Sequence, residues 1–255
     1  MIFGLEFPPI ENIVEWPNLG GGDSPFGFNK VALINVIALV ATAAIFLAGG
    51  RGRALIPRGA QNFAEISVDF IRGQIVAPTI GAHGGDKYMP LLATLFFFIF
   101  FGNIFEVIPF FNMPANARMA NPAIMALYVW VFFIAVGLKH QGAGYFKNAL
   151  FPPGVPKALY LLVTPIEFIS TFLVRPFSLA VRLFANMLAG HILLVTFSVL
   201  CITLWTLKPL VVALPFSFFM LVALTGFEVM VAFLQAYIFT ILAAVYIGGA
   251  MHPEH

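Results

Sequence analysis

Between residues 158 and 251 the sequence offers water almost nothing. The charged side chains there are Glu167, Arg175, Arg182, Lys208 and Glu228, and the rest is apolar or small. A break at "TLKP" (206–209) divides the stretch into segments 158–206 and 209–251. A helix crosses ~30 Å of hydrocarbon with about 20 residues, so each segment is roughly twice as long as one crossing needs. The whole chain agrees with this half. It is 61% hydrophobic and 9% charged, against roughly 25% charged residues in soluble domains, too few to cover a water-facing surface. Bilayers admit only helices or closed barrels. The apolar runs are continuous rather than alternating segments of about 10 residues, which selects helices. The expected fold class is an all-α integral membrane protein with about five membrane-crossing helices and a surface amphipathic helix. The last two helices are long and steeply tilted.

The remaining organisation follows from charge and breaks. Residues 1–29 hold Glu6, Glu11, Glu15 and Asp23 among Pro and Gly and read as an extracytoplasmic arm. Residues 30–255 form a single membrane domain. Its first span is 31–50, and Arg51, Arg53 and Arg58 follow at once. Over 57–80, Phe63, Ile66, Phe70 and Ile71 fall near one helical face while Gln61, Glu65, Asp69 and Arg72 are polar. That spacing predicts an amphipathic helix on the membrane surface; a connector helix in water has the same pattern. Spans at 88–109 and 120–139 precede the long helices 158–206 and 209–251. Arg51, Arg53 and Arg58 mark one basic loop, and Lys139, Lys147 and Lys157 another. Both fall on the cytoplasmic side if the N-terminus lies outside, and the C-terminus then ends in the cytoplasm. The formal charge of +2 names no partner, and no basic block points to nucleic acid. Cys201 stands alone in an apolar run. No Lys or Arg precedes Lys30, so neither a secretory n-region nor an Arg-rich transit peptide is legible.

Ionisable residues at depth in such segments are functional candidates. Arg182 alone also fits a cation snorkelling from the cytoplasmic end of a span. Glu228 narrows that choice. It stands between uncharged stretches 210–227 and 229–251, with no loop to surface it. A continuous helix over 210–250 is about 60 Å long, which puts Glu228 in mid-helix. Gln235 follows two turns later on the same face, continued less regularly by Tyr237. On the preceding segment Ser178, Arg182 and Asn186 share a face at i, i+4, i+8, joined by Arg175. His191 lies nine residues after Arg182, about half a turn round the helix. One face thus carries a permanent cation and the other a histidine that titrates near neutrality. Two such helices point to a proton route.

Here the motifs resemble a known family. "SLAVRLFANMLAGH" is similar to the SL-x-x-RL-x-x-N-x-x-x-G signature of the a subunits of the F-type ATP synthase membrane sector. "FLQAYIFTILAAVYI" resembles their final helix, "FGNIFEVIP" their N-(L/I)-x-(D/E)-x-x-P helix end, and "PRGAQNFAE" their P-x-x-x-Q-x-x-x-E segment. The pieces run from about 57 to 250 in the family's order. Ala185 departs from the usual glycine but is small enough for close packing. The resemblance implies two long tilted helices packed against a rotating ring of c-type proteolipid subunits, b-type peripheral stalk subunits as further partners, and an F1 catalytic head reached indirectly. It implies two aqueous half-channels and no nucleotide site, cofactor or metal in this chain. Arg182 matches the essential stator arginine, which stays protonated and lowers the pKa of an opposed carboxylate. Asn186 and Ser178 are its neighbours and Arg175 a supporting cation. His191 and Glu228 match a channel pair whose acid and histidine stand in the reverse order in some members. Asn103, Glu106 and Gln235 join that outer half-channel. Glu167, with Ser170, belongs to the cytoplasmic one.

Other functions compete. A proton-coupled secondary transporter would also use Arg182, His191 and Glu228, but predicts internal repeats and broken helices. A haem-bearing electron-transfer subunit needs paired axial histidines, and His191 is the only histidine deep in an apolar segment. The Phe-rich run "LFFFIFFGNIF" reads as lipid contact. A bacterial cell membrane is expected, ahead of an organellar inner membrane.

Overall fold

The computed structural model describes residues 28–51, 58–81, 84–108, 111–142, 144–151, 156, 159–206 and 208–251. The arm (1–27), Arg53, Lys157 and the C-terminal residues 252–255 lie outside them. Among the described residues every regular element is a helix. The fold is that of an all-α membrane protein. Four helices are long and apolar enough to cross a membrane, and a shorter apolar helix lies between them.

Helix α1 (Lys30–Arg51) begins where Asn29 Oδ1 accepts the Ala32 N–H at 2.9 Å, capping one orphan donor of the first turn. Its sides are apolar nearly all round, Asn35 and Thr42 being the polar residues within the span. Helix α2 (Ala60–Ile71) runs on through a π-helical segment (Arg72–Val76) into the short α3 (Ala77–Thr79). Three stripes divide its circumference. Ala64, Ser67, Ile71 and Ile75 are buried against neighbouring helices. Phe63 and Ile66 stay exposed beside them. Gln61, Glu65, Asp69 and Arg72 point away, with Gln61 bonded to Glu65 and Arg72 reaching Asp69 and Asp86. The apolar residues therefore divide into a stripe buried against protein and a stripe left exposed. At one point α1 and α2 nearly touch, because a Cβ on Gly49 would overlap Ala64.

Helix α4 (Met89–Ile104) carries the densest run of phenylalanines, Phe96–Phe98 with Phe100 and Phe101. Its Phe-rich run does not face lipid as expected. Phe96 and Phe97 are buried, and they form an aromatic cluster with Phe46 of α1, Phe70 of α2 and Phe233 of the last helix at centroid distances of 5.2–5.9 Å. Aromatic pairs gain about 0.5–1.5 kcal/mol beyond area burial, which suits them to joining helices where the hydrophobic effect does not. Helix α4 stops at Ile104, and residues 105–107 form a turn. Pro109 lies outside the described residues.

Helices α5 (Ala120–Gln141) and α6 (Gly144–Leu150) are joined by a turn at Gly142, whose φ of 60° favours glycine. Helix α7 (Tyr160–Ile169) continues through a π-helical segment (Ser170–Val174) into α8 (Arg175–Thr206). Pro165 inside α7 cannot donate to the ladder, and the π segment begins at Ser170, about one and a half turns later. A short 3₁₀ segment (Lys208–Ala213) leads to α9 (Leu214–Met251). The 46 residues from Tyr160 to Trp205 extend about 70 Å, and the 38 of α9 about 57 Å. Both far exceed the ~30 Å hydrocarbon layer, so they lie oblique to it or leave it. They pack along each other, and α4 and α5 pack against them. Gln141 Nε2 donates to the Ala250 carbonyl at 2.9 Å, satisfying one orphan acceptor at the end of α9.

Candidate functional site

Two polar settings occupy opposite sides of α8. Arg182, Ala185, Asn186 and Ala189 are exposed, with Ser178 half-buried on the same side. Small residues flank the arginine, so its guanidinium stands on an uncrowded surface. Among the described residues Arg182 forms no ion pair. Leu183, Met187 and His191 face the other way and are buried. The helical repeat alone produces this division, since nine residues turn the helix by half a revolution.

On the buried side three titratable groups converge. His191 is 4% exposed, Glu106 3% and Glu228 4%. His191 Nδ1 lies 3.7 Å from Glu106 Oε1. That is ion-pair distance and longer than a direct hydrogen bond, so a small rotation of either side chain closes the contact. Glu228 reaches the same corner from α9. Its carboxylate rests on Gly190, where any Cβ would overlap it. Gly190 is therefore the cradle that lets an acid from α9 enter the seam beside His191. Among the described residues Glu228 Oε2 and Glu106 Oε1 have no hydrogen-bond partner. Two buried carboxylates thus stand with one imidazole in a single corner, where burial makes an uncompensated charge costly.

Gln235 is buried on α9, two turns from Glu228. Asn103 is fully buried in the last turn of α4 and bonded to Asn116. Tyr237 stands apart from them. Two residues turn a helix by about 200°, and its hydroxyl approaches the Gln74 carbonyl at 3.5 Å while its ring meets Phe70. Arg175 is half-buried and lies over the Tyr246 ring at 5.3 Å. It also faces Tyr145 of α6, where burial pushes the phenol up and the Arg175 charge partly opposes this. Glu167 is half-buried on α7, one turn before the π segment that begins at Ser170. Arg175, Glu167 and Ser170 thus lie along the α7–α8 junction, away from the histidine cluster.

The residues that sequence reasoning passed over are Gly190 and the asparagines 35, 116 and 121. Gly190 closes the RL-x-x-N-x-x-x-G motif, and its spacing of one residue from His191 was the available signal. Asn116 and Asn121 lie in a Pro-containing stretch where asparagine ordinarily serves turns.

Comparisons with known proteins decide the family. The family model described as "ATP synthase A chain" matches residues 31–248. The chain belongs to that family. "ATP synthase subunit a" of Frankia alni is 44% identical over 257 residues, covering 99% of this chain and 88% of the relative. The subunit a of Rhodococcus erythropolis is 42% identical over 90% of this chain and 85% of its own length. That of Granulibacter bethesdensis is 41% identical over 96% and 98%. As a member of that family with four membrane-length helices among the described residues, this protein is a membrane-embedded subunit. Polar residues buried between its spans therefore concern the membrane sector.

Proposed function

We propose that this chain is the stator of a rotary proton path. The observation that carries the reading is the division of α8 into an outward face whose permanent cation forms no ion pair among the described residues and an inward face whose His191 meets buried Glu106 and Glu228. A proton entering from outside reaches the Glu106–His191–Glu228 set, with Asn103 and Gln235 as polar lining. It then passes to a carboxylate on a ring of c-type subunits. That carboxylate, when ionised, meets Arg182 across the exposed face, with Asn186 and Ser178 beside it. Arginine does not deprotonate, so it attracts the rotor anion and blocks a direct proton leak between the two routes. After a turn of the ring the proton leaves towards the cytoplasm along the α7–α8 junction, past Glu167 and Ser170, with Arg175 as a supporting charge. A proton crossing 100 mV releases about 2.3 kcal/mol, so several crossings serve each ATP.

In this reading the catalytic head is elsewhere in the complex and the chain itself holds no nucleotide site. Its partners are the ring, b-type stalk subunits and the bilayer, in a bacterial plasma membrane with the N-terminus outside. The unbroken course of α9 over 38 residues counts against a carrier with broken helices. The test is Arg182→Ala in inverted membrane vesicles holding the whole complex. Assembly is expected to be retained and ATP-driven acidification lost. Normal acidification would overturn the reading.

A further inference from the structure

Four asparagines from four parts of the chain form one hydrogen-bonded series at the end of α4 where Glu106 lies. Asn121 Nδ2 donates to Asn35 Oδ1 at 3.0 Å and to Asn116 Oδ1 at 2.8 Å. Asn116 Nδ2 donates to Asn103 Oδ1 at 2.7 Å. The series joins α1, the start of α5, the 3₁₀ turn Ala115–Ala117 and the last turn of α4. It is not a surface feature: Asn103 is 0% and Asn116 1% exposed, and Met113, Ala115 and Ala117 around it are fully buried. The turn also contacts α8.

The series has a direction. Asn121 donates to Asn116, and Asn116, accepting at its oxygen, donates in turn to Asn103. Asn103 is the last link. Its Oδ1 is committed to Asn116, and its Nδ2 is buried with no acceptor among the described residues. Glu106 follows one turn later, its N–H bonded to the Asn103 carbonyl at 3.1 Å, and its buried Oε1 has no donor at hydrogen-bond distance among the described residues, His191 Nδ1 standing 3.7 Å away. An unmatched donor and an unmatched acceptor are each unfavourable in such surroundings. One turn apart, they relieve each other directly or through a single water. Aligned amides also polarise one another, which strengthens the terminal donor.

We propose that Asn116 is a positioning residue of the proton path. By holding the Asn103 amide oxygen it turns the Asn103 NH₂ group towards the Glu106 carboxylate, and so fixes that carboxylate against His191. This rests on the reading of Glu106 as part of the outer route. The titratable groups facing the same corner are His191 from α8 and Glu228 from α9. The elements joined by the series also carry Arg118, after the 3₁₀ turn, and Lys30, at the start of α1. Asn121 and Asn35 anchor the outer end of the series, so the dock of α1 on the domain and the aim of Asn103 are one arrangement.

The experiment uses the intact ATP synthase complex in proteoliposomes carrying Asn116→Leu, a substitution close in size that removes both hydrogen bonds. Two signals are read. One is the carboxyl C=O band in acid-minus-alkaline infrared difference spectra, assigned by its loss in Glu106→Gln. The other is proton flux against outside pH. The expected result is an assembled complex, a shifted Glu106 band, a displaced pH profile and a flux reduced roughly tenfold, since small misplacements of reacting groups carry large penalties. An assembled complex with an unmoved band and profile would overturn the proposal, because a merely structural asparagine leaves both in place. If Asn116→Leu does not assemble, Asn121→Leu is read in the same way, one link farther out, and an unmoved band there is equally decisive against it. Normal flux in Glu106→Gln would remove Glu106 from the route while leaving the band shift as an independent test of the amide series.

Discussion

The two faces of α8 handle charge in opposite ways. On one, Arg182 is exposed and forms no ion pair among the described residues. On the other, His191, Glu106 and Glu228 are almost fully buried and depend on one another. A permanent cation on a membrane-facing surface is costly unless something outside the chain answers it. A buried acid–imidazole cluster is costly unless its members exchange protons among themselves. In the proposed reading a partner completes the first arrangement, and the second lies largely within the chain. Disabling the outward face should therefore break coupling to the partner. Disabling the inward face should slow proton delivery while leaving the partner contact intact.

The largest effect on the inward face is expected from removing both carboxylates. With Glu106→Gln and Glu228→Gln together, His191 loses each acid neighbour and no relay remains. Proton-driven ATP synthesis in proteoliposomes is expected to fall about 100-fold, the lower range for positioned acid–base groups. Either single substitution should fall less than the pair. If the double variant matches one of the singles, only that carboxylate carries protons.

Gly190 gives a sharper and smaller test. Gly190→Ala places a Cβ in the volume of the Glu228 carboxylate, and α8 and α9 are too closely paired there to yield freely. Overpacking of this kind costs about 1–3 kcal/mol. The expected outcome is an assembled complex whose proton flux falls roughly tenfold. Adding Glu228→Asp withdraws the carboxylate by one methylene and should restore part of the loss. Absence of any rescue would show that Gly190 serves helix packing and not the seat of the acid.

The sequence made some of this plain and hid the rest for physical reasons. Long uncharged runs prescribe helices of known minimum length, so the membrane fold followed directly. Arg182, His191, Glu228 and Gln235 were conspicuous because polar groups are rare in such runs. Tyr237 illustrates the limit of that signal: it is polar and near Gln235, yet helical phase carries it to Gln74. The phenylalanines of α4 were misassigned to lipid because lipid tails and helix interfaces accept the same side chain. The bond between Asn121 and Asn35 spans 86 residues, and nothing local to either position encodes it.

Arg175 offers the smallest test, and it bears on the same contrast. It lies seven residues before Arg182 on one helix, yet its guanidinium is already occupied by the Tyr246 ring of α9 at 5.3 Å. A cation so engaged is held by its own chain, and a cation without such a contact is available to another. Tyr246→Phe keeps the aromatic face and should leave flux unchanged. Tyr246→Leu removes an interaction of about 0.5–1 kcal/mol, so the expected loss of proton flux is no more than about fivefold. A loss as large as that of Arg182→Ala would place Arg175 on the main route and erase the distinction between the two arginines. A small loss would leave Arg182 as the charge through which the stator meets its rotor, with Arg175 held inside the subunit by an aromatic ring.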